Sequence, residues 1–167
     1  MIKIKDLKEV DFIITWRLLY RALLNKQLKV EDVIEYAIEQ LEMGNDRIEV
    51  CEIVGLCDSD TDYLLNFLYE LAKKEKSDDE FEDRKLRAVI IKDRLKIKKD
   101  NCIDGLMELT DIWLEFGCPE DSPHIIQGRY NNISPYEYYT EDNYNYLFKK
   151  NLDWLKNEIF FLKNNQK

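Results

Sequence analysis

Apolar residues return every three or four positions along most of the chain, which is the period of an amphipathic helix. The first such series is Phe12, Trp16, Leu19 and Leu23. It predicts a helix over residues 10–25, and a second series predicts a helix over residues 30–43 that ends before Gly44. Because the connection between these two helices is short, they are predicted to form an antiparallel hairpin.

The same period continues through most of the remaining chain and predicts further helices. Their ranges are 48–56, 81–98, 101–116 and 141–164, with one more helix that follows Asp60 and carries Leu64 to Ala72 on its inner side. Residues 117–140 interrupt the pattern and contain all three prolines. A loop of this length is uncommon in a compact domain and is often functional, so this segment is the first place to look for a site.

The composition agrees with a globular helical protein. Hydrophobic residues make up 45% of the chain and charged residues 35%, with only 5 Gly and 3 Pro to form tight turns. The sequence therefore predicts an all-α fold, a single domain over residues 1–167. Its six to seven helices are expected to pack as antiparallel hairpins, in a bundle or an irregular α-α superhelix.

The ends and the cysteines bear on the compartment. The chain starts without an apolar signal region, and no stretch approaches the roughly 18 apolar residues that span a bilayer. A soluble, cytoplasmic protein without a membrane partner is therefore predicted. The four cysteines lack the close spacing of zinc or redox motifs, so they are predicted to be free buried thiols, and no cofactor or metal is expected.

The charge is unevenly distributed around a net value of -9. Residues 84–99 hold eight Lys or Arg against one acid, whereas residues 101–148 hold nine acids against one Arg. The basic segment could follow a nucleic-acid backbone, but it lacks interleaved aromatic residues. The next helix also offers acids that can neutralise it, namely Asp104, Glu108, Asp111 and Glu115. An internally paired or solvated basic face is therefore preferred to a nucleic-acid site.

Two candidate chemical motifs have simpler interpretations. Residues 58–62 (DSDTD) resemble the start of a calcium loop, but Tyr63 and Tyr69 stand where that loop needs glycine and a bidentate glutamate. Capping of the next helix is the preferred interpretation.

His124 is the single histidine and could act as a general base, yet no nucleophile motif accompanies it, so a structural loop histidine is preferred.

Arg17 and Arg21 lie one turn apart on a largely apolar helix that offers neither of them an acid three or four positions away. A buried guanidinium without a partner would be costly. The two side chains are therefore predicted to reach solvent or to meet carboxylates of the acidic C-terminal part.

Six of the ten tyrosines lie between residues 130 and 146, mixed with asparagine and acids. Tyrosine supplies a large contact area with one polar end, which is typical of surfaces that bind proteins. The alternative is that these rings cover helix ends and hold the long loop. The predicted partner-binding residues are Glu115, Glu120, Asp121, Tyr130, Tyr136, Glu137, Tyr138 and Tyr139.

Three stretches carry a family resemblance: residues 15–25 (TWRLLYRALLN), 82–87 (EDRKLR) and 109–120 (LTDIWLEFGCPE). They resemble domain-of-unknown-function family 2247, a bacterial family of small proteins with no assigned activity. The resemblance implies a helical bacterial protein and brings no catalytic residues with it.

These observations favour a protein-interaction module over an enzyme. Small acidic proteins of this type resemble immunity or antitoxin proteins, so the predicted partner is a protein, such as a basic toxin domain, held by charge complementarity. The alternative is a carboxylate- or metal-dependent enzyme, which would require at least three carboxylates, or two with His124, in one pocket. No catalytic residue is predicted.

Overall fold

The computed structural model describes residues 1–166, and these residues form nine helices and no strands. The helices are α1 (Ile4–Lys8), α2 (Trp16–Leu24), α3 (Val30–Glu42), α4 (Ile48–Val54), α5 (Thr61–Ala72), α6 (Asp79–Arg94), α7 (Cys102–Glu115), α8 (Pro135–Tyr138) and α9 (Glu141–Asn164). The all-α prediction is confirmed, although the described helices outnumber the six to seven predicted.

The chain divides into two compact units, each with its own packing. The first unit contains residues 1–90 and the residues from Phe161 onward, and the second unit contains residues 91–160. Helices α6 and α9 contribute residues to both units. The prediction of a single domain over 1–167 stays a prediction, and its last residue, Lys167, lies outside the described residues.

In the first unit, α2 packs closely against α5, α3 against α4, and α4 against α5. Leu18 and Leu19 of α2 and Leu64 and Leu68 of α5 are fully buried. The predicted antiparallel hairpin of α2 and α3 is not among these close pairs. Helices α2 and α3 do contact each other through Trp16 and Tyr36, whose rings pack edge-on with their centres 5.4 Å apart.

The helix predicted over residues 10–25 is wrong at its start. Asp11 adopts a left-handed φ of 55°, which a right-handed helix cannot contain, so the chain between α1 and α2 is not helical at this residue. Thr15 then caps α2, its Oγ1 accepting a hydrogen bond from the Leu18 amide at 3.0 Å. Phe12 is buried although it lies outside any helix. It stands four positions before Trp16, so in the sequence it looked like part of the helical series.

Helix α6 begins earlier and ends earlier than the predicted range of 81–98. Asp78 precedes it, and its carboxylate accepts the Phe81 amide at 2.8 Å, so the helix has a capping side chain just before Asp79. The lysine-rich residues after Arg94 are not helical. The basic segment is therefore a helix end followed by an irregular connection to α7.

In the second unit, one close approach depends on a glycine. A Cβ built at Gly105 of α7 would lie 2.2 Å from Cζ of Tyr144, so the aromatic ring occupies the space of the missing side chain. Tyr144 is buried, and its hydroxyl accepts the Lys99 amide at 2.9 Å. Between α7 and α9 the chain is irregular apart from the short helix α8.

The four cysteines are free, as predicted, but their predicted burial is wrong. Cys51 and Cys57 are exposed, and Cys102 and Cys118 are partly exposed. Separately, no helix of the described residues is long and apolar enough to span a membrane.

Candidate functional site

The loop before α8 is ordered by one asparagine. The side-chain oxygen of Asn131 accepts the amides of Gly128 at 3.1 Å and Ile133 at 3.3 Å. Its side-chain nitrogen donates to the carbonyls of Ile126 at 2.8 Å and Arg129 at 2.9 Å. The turn that these bonds close places Tyr130 at a positive φ of 60° with its ring 97% exposed.

Helix α8 is fixed by a capping box. The Ser134 hydroxyl accepts the Glu137 amide at 3.3 Å, and the Glu137 carboxylate accepts the Ser134 amide at 3.0 Å. The Ser134 hydroxyl also donates to the Glu137 carboxylate at 2.7 Å, and this hydrogen bond, together with the one from the Ser134 amide, lowers the pKa of Glu137. Pro135 at the first helical position suits the same turn, and Tyr136 follows it with its ring 92% exposed.

Tyr138 points inward and meets His124. The Tyr138 hydroxyl donates to the Ile125 carbonyl at 2.7 Å, and the Thr110 hydroxyl donates to the Leu106 carbonyl at 2.9 Å. The hydroxyl oxygens of Tyr138 and Thr110 also lie within hydrogen-bond distance of His124 Nε2, at 3.2 and 3.0 Å. Because both hydroxyl hydrogens are used elsewhere, His124 is assigned the tautomer that carries its proton on Nε2.

This geometry makes His124 a buried residue of the irregular segment, and its preferred structural role stays a prediction. Its side chain is enclosed, Nδ1 has no hydrogen-bond partner, and burial lowers its pKa to about 4. The imidazole is therefore neutral at physiological pH.

The predicted partner-binding residues fall into two groups. Glu120, Asp121, Tyr130 and Tyr136 are exposed, and we call these four residues the tyrosine-rich surface. Of the other four, Glu115 and Glu137 are exposed but have contacts within the fold, Tyr138 is buried and Tyr139 is half-buried. Glu115 pairs with Arg94 at 3.1 Å, Glu137 caps α8, and the half-buried Tyr139 meets Tyr138 edge-on at 5.0 Å.

The prediction that Tyr138 contacts a partner is corrected by its burial, since only 2% of the side chain is exposed. The sequence could not separate Tyr138 from Tyr136 because both belong to one irregular, tyrosine-rich stretch.

The structure also contains a cleft that the sequence did not reveal. It has a volume of about 380 Å³ and is lined by residues that include Pro119, Ser122, Ile126 and Arg129. The Arg129 guanidinium lies 5.7 Å from the ring centre of Tyr130, so one wall of the cleft adjoins the tyrosine-rich surface.

The acid-rich residues 58–62 lie at the start of α5 as predicted, with Asp62 in its first turn, but no described side chain caps the helix by a hydrogen bond. Asp60 occupies the N-cap position of α5, but its carboxylate accepts the amide of Cys57 at 2.9 Å instead of an amide inside the helix. Hydrogen bonds from Cys57 lower its pKa. Within residues 1–166, no three His, Cys, Asp or Glu side chains are grouped so that they could hold a metal ion.

Arg17 and Arg21 find their partners in α6 and not in the acidic C-terminal part. Arg17 Nη1 donates to Asp79 at 2.7 Å, and the Arg21 guanidinium donates to both carboxylate oxygens of Asp83, at 2.8 and 2.5 Å. Of the two predicted alternatives, partners in the C-terminal part are therefore wrong, whereas both guanidinium side chains do reach solvent in part, with 22% and 23% exposure. The carboxylate of Glu75 also accepts the first two amides of α2, at 2.9 and 2.8 Å.

A buried ion pair lies beside these contacts. Glu82 and Lys85 are 0% and 1% exposed, and Lys85 Nζ lies 3.1 Å from Glu82 Oε2. Lys85 also donates to the Ile13 carbonyl at 3.1 Å. Burial raises the pKa of Glu82, while Lys85 opposes that shift. The sequence predicted a basic face that is internally paired or solvated, and Lys85 is internally paired; the signal for this pair was its spacing of three from Glu82.

The predicted neutralisation of the basic segment by α7 is seen at Arg94. Its Nε donates to Glu108 at 2.6 Å and its Nη1 to Glu115 at 3.1 Å. Lys98 hydrogen-bonds Asn145 and lies 5.3 Å from the ring centre of Tyr144. Two cations of the basic segment, Arg94 and Lys98, are therefore already engaged within the second unit.

Comparison with known proteins gives one family and no individual relative. A family model described as an uncharacterized protein conserved in bacteria (DUF2247) matches residues 4–159. Neither the curated proteins nor the solved structures contain a match. The matched range includes all three stretches that carried the resemblance in the sequence, and the chain belongs to this bacterial family.

Proposed function

We propose that this protein is a protein-interaction module that binds its partner through the tyrosine-rich surface. The observation that carries the proposal is the presence of two tyrosine rings that are 97% and 92% exposed, Tyr130 on a hydrogen-bonded loop and Tyr136 on the capped helix α8. Exposed aromatic rings of this size are costly to leave in water and are common anchors at interfaces.

The loop lowers the entropic cost of binding. Asn131 and the Ser134–Glu137 capping box hold the backbone around both rings before any partner arrives. A surface that is already ordered loses less conformational freedom on association. This pre-organisation favours recognition of one defined partner.

The charge of the region selects the kind of partner. Glu120 and Asp121 are exposed, and residues 117–140, which contain this surface, carry three acids against one arginine. Such a surface attracts a basic protein and accelerates its association. In this proposal the chain is an immunity or antitoxin-like protein that acts in the cytoplasm and covers a basic toxin domain. The alternative of a carboxylate- or metal-dependent enzyme stays a prediction of the sequence.

The test is calorimetric titration against the purified product of a toxin gene next to the gene for this chain. We expect Tyr130→Ala with Tyr136→Ala to weaken binding by about a hundredfold, which corresponds to about 1.4 kcal/mol from each anchor. Tyr63→Ala removes another exposed tyrosine, 64% accessible and outside the surface, and should leave the affinity unchanged.

Charge reversal separates the acids from the rings. Glu120→Lys with Asp121→Lys should slow association and remove its salt dependence, with helical content unchanged by circular dichroism. Glu137 is kept out of this variant because it caps α8. Unchanged affinity in both the tyrosine and the charge variants would overturn the proposal, and a metabolic operon around the gene would remove the immunity role.

A further inference from the structure

Helix α7 carries an apolar stripe on its outer side. Ile103, Met107 and Leu114 are 47%, 52% and 51% exposed, and spacings of four and seven place them on one face of the helix. The inner side is separate and holds the buried residues Leu106, Leu109, Ile112 and Trp113. The helix therefore has two apolar faces, and the protein core covers only one of them.

An acidic stripe runs beside the apolar one, displaced by a single residue. Its members are Asp104, Glu108, Asp111 and Glu115. Arg94 pairs with Glu108 and Glu115, whereas no described basic side chain pairs with Asp104 or Asp111, and both are exposed. The outer face of α7 thus presents apolar side chains with unpaired acids along one edge.

We propose that this face binds a basic amphipathic helix of another protein. Apolar residues at helical spacing on the partner would cover Ile103, Met107 and Leu114, and Lys or Arg on the flank would meet Asp104 and Asp111. Helix α7 has 14 residues, or about 21 Å of length, enough to engage about four turns of a partner helix.

Charge argues against a second copy as the occupant. Another molecule would also carry a net charge of -9 and would bring its own acidic stripe to the contact. Like charges at an interface oppose association. This α7 face does not include any residue of the tyrosine-rich surface, and its assignment does not rest on the proposed function.

The probe is a synthetic helix of roughly 18 residues with leucine at helical spacing and lysine on both flanks, long enough to be helical when bound. Its fluorescence anisotropy is followed as the full chain is added. A peptide of the same composition, scrambled to break the spacing, measures attraction by charge alone. We expect the amphipathic peptide to bind about tenfold more tightly than the scrambled one.

Two variants test the face itself. Met107→Ser with Leu114→Ser should weaken binding of the amphipathic peptide about tenfold, and Asp104→Asn with Asp111→Asn should weaken it and reduce its salt dependence. Ile97→Ser is the matched control, since Ile97 is apolar, 77% exposed and outside α7.

Equal binding of the two peptides, or binding that the α7 variants do not change, would overturn the proposal. Light scattering provides the remaining outcome. A dimer that Leu114→Ser dissociates would assign the face to a second copy and would also overturn it. The Tyr130→Ala and Tyr136→Ala variant should bind the peptide normally, so this result is independent of the function proposed above.

Discussion

Two buried polar clusters in this molecule are stabilised in different ways. In the first unit, Glu82 and Lys85 bury an ion pair. In the second unit, Thr110, His124 and Tyr138 form a neutral hydrogen-bonded cluster. Removing one partner of a buried ion pair leaves the other charge uncompensated, whereas a neutral cluster needs one protonation state and one tautomer. The difference indicates how each cluster should fail.

The two clusters should respond to pH in opposite directions. The Glu82 carboxyl has a raised pKa, so the folded state holds its proton more tightly and the free energy of unfolding falls as the pH rises above 4.5. The His124 imidazole has a lowered pKa, so the folded state holds its proton less tightly. Its contribution is present above pH 6.5 and is lost as the pH falls toward about 4.

The largest expected effect is removal of one member of the ion pair. Lys85→Met leaves the Glu82 charge buried without its partner, and we expect the free energy of unfolding to fall by roughly 3–5 kcal/mol. Urea denaturation followed by circular dichroism measures this change. Lys76→Met, at an exposed lysine, is the control.

The double variant Glu82→Gln with Lys85→Met sharpens the result, because it removes both charges and should recover part of the loss. If Lys85→Met costs no more than Lys76→Met, the ion pair is not a determinant of stability.

The second effect is the pH dependence of the neutral cluster. Protonation of His124 should cost the folded state about 3 kcal/mol between pH 6.5 and 4, from its pKa of about 4. Denaturation with urea at several pH values would measure it. His124→Gln keeps a polar amide but cannot titrate in this range, so the difference between the two pH profiles isolates the imidazole. Parallel profiles would contradict the assignment.

The smallest effect concerns the more exposed ion pair of the first unit. Arg21 and Asp83 are 23% and 37% exposed, and exposed pairs contribute little because water and salt screen them. We expect Arg21→Gln to lower the free energy of unfolding by less than about 1 kcal/mol. Adding Asp83→Asn to the Arg21→Gln variant should lower the free energy of unfolding little further. A loss comparable to that of Lys85→Met would show that burial does not set the difference between these pairs.

Helix periodicity predicted most of the fold because the buried faces are long and regular. Helix α9 was predicted over its whole range of Glu141–Asn164, since its apolar stripe continues without interruption. The start of the chain was mispredicted because Phe12 is buried from an irregular segment and imitates a helical position. Backbone breaks such as that at Asp11 leave no mark in the spacing of apolar residues.

The candidate sites were harder to predict because they depend on distant pairs. The resembling stretches 15–25 and 82–87 meet through Arg21 and Asp83, which are 62 positions apart in sequence. Lys85 and Glu82 are close in sequence, but their spacing alone did not show that both side chains are buried. Tyr130 and Tyr136 were correctly placed outside, but only the geometry of the loop distinguishes them from the buried Tyr138.

The close approach of Gly105 and Tyr144 has a consequence for evolution within the family. The ring fills the volume that any β-carbon at position 105 would need, and it is held there by the Lys99 amide. A lineage that acquires alanine at this position must therefore also replace the tyrosine with a smaller residue. Positions 105 and 144 are therefore expected to covary among members of the family.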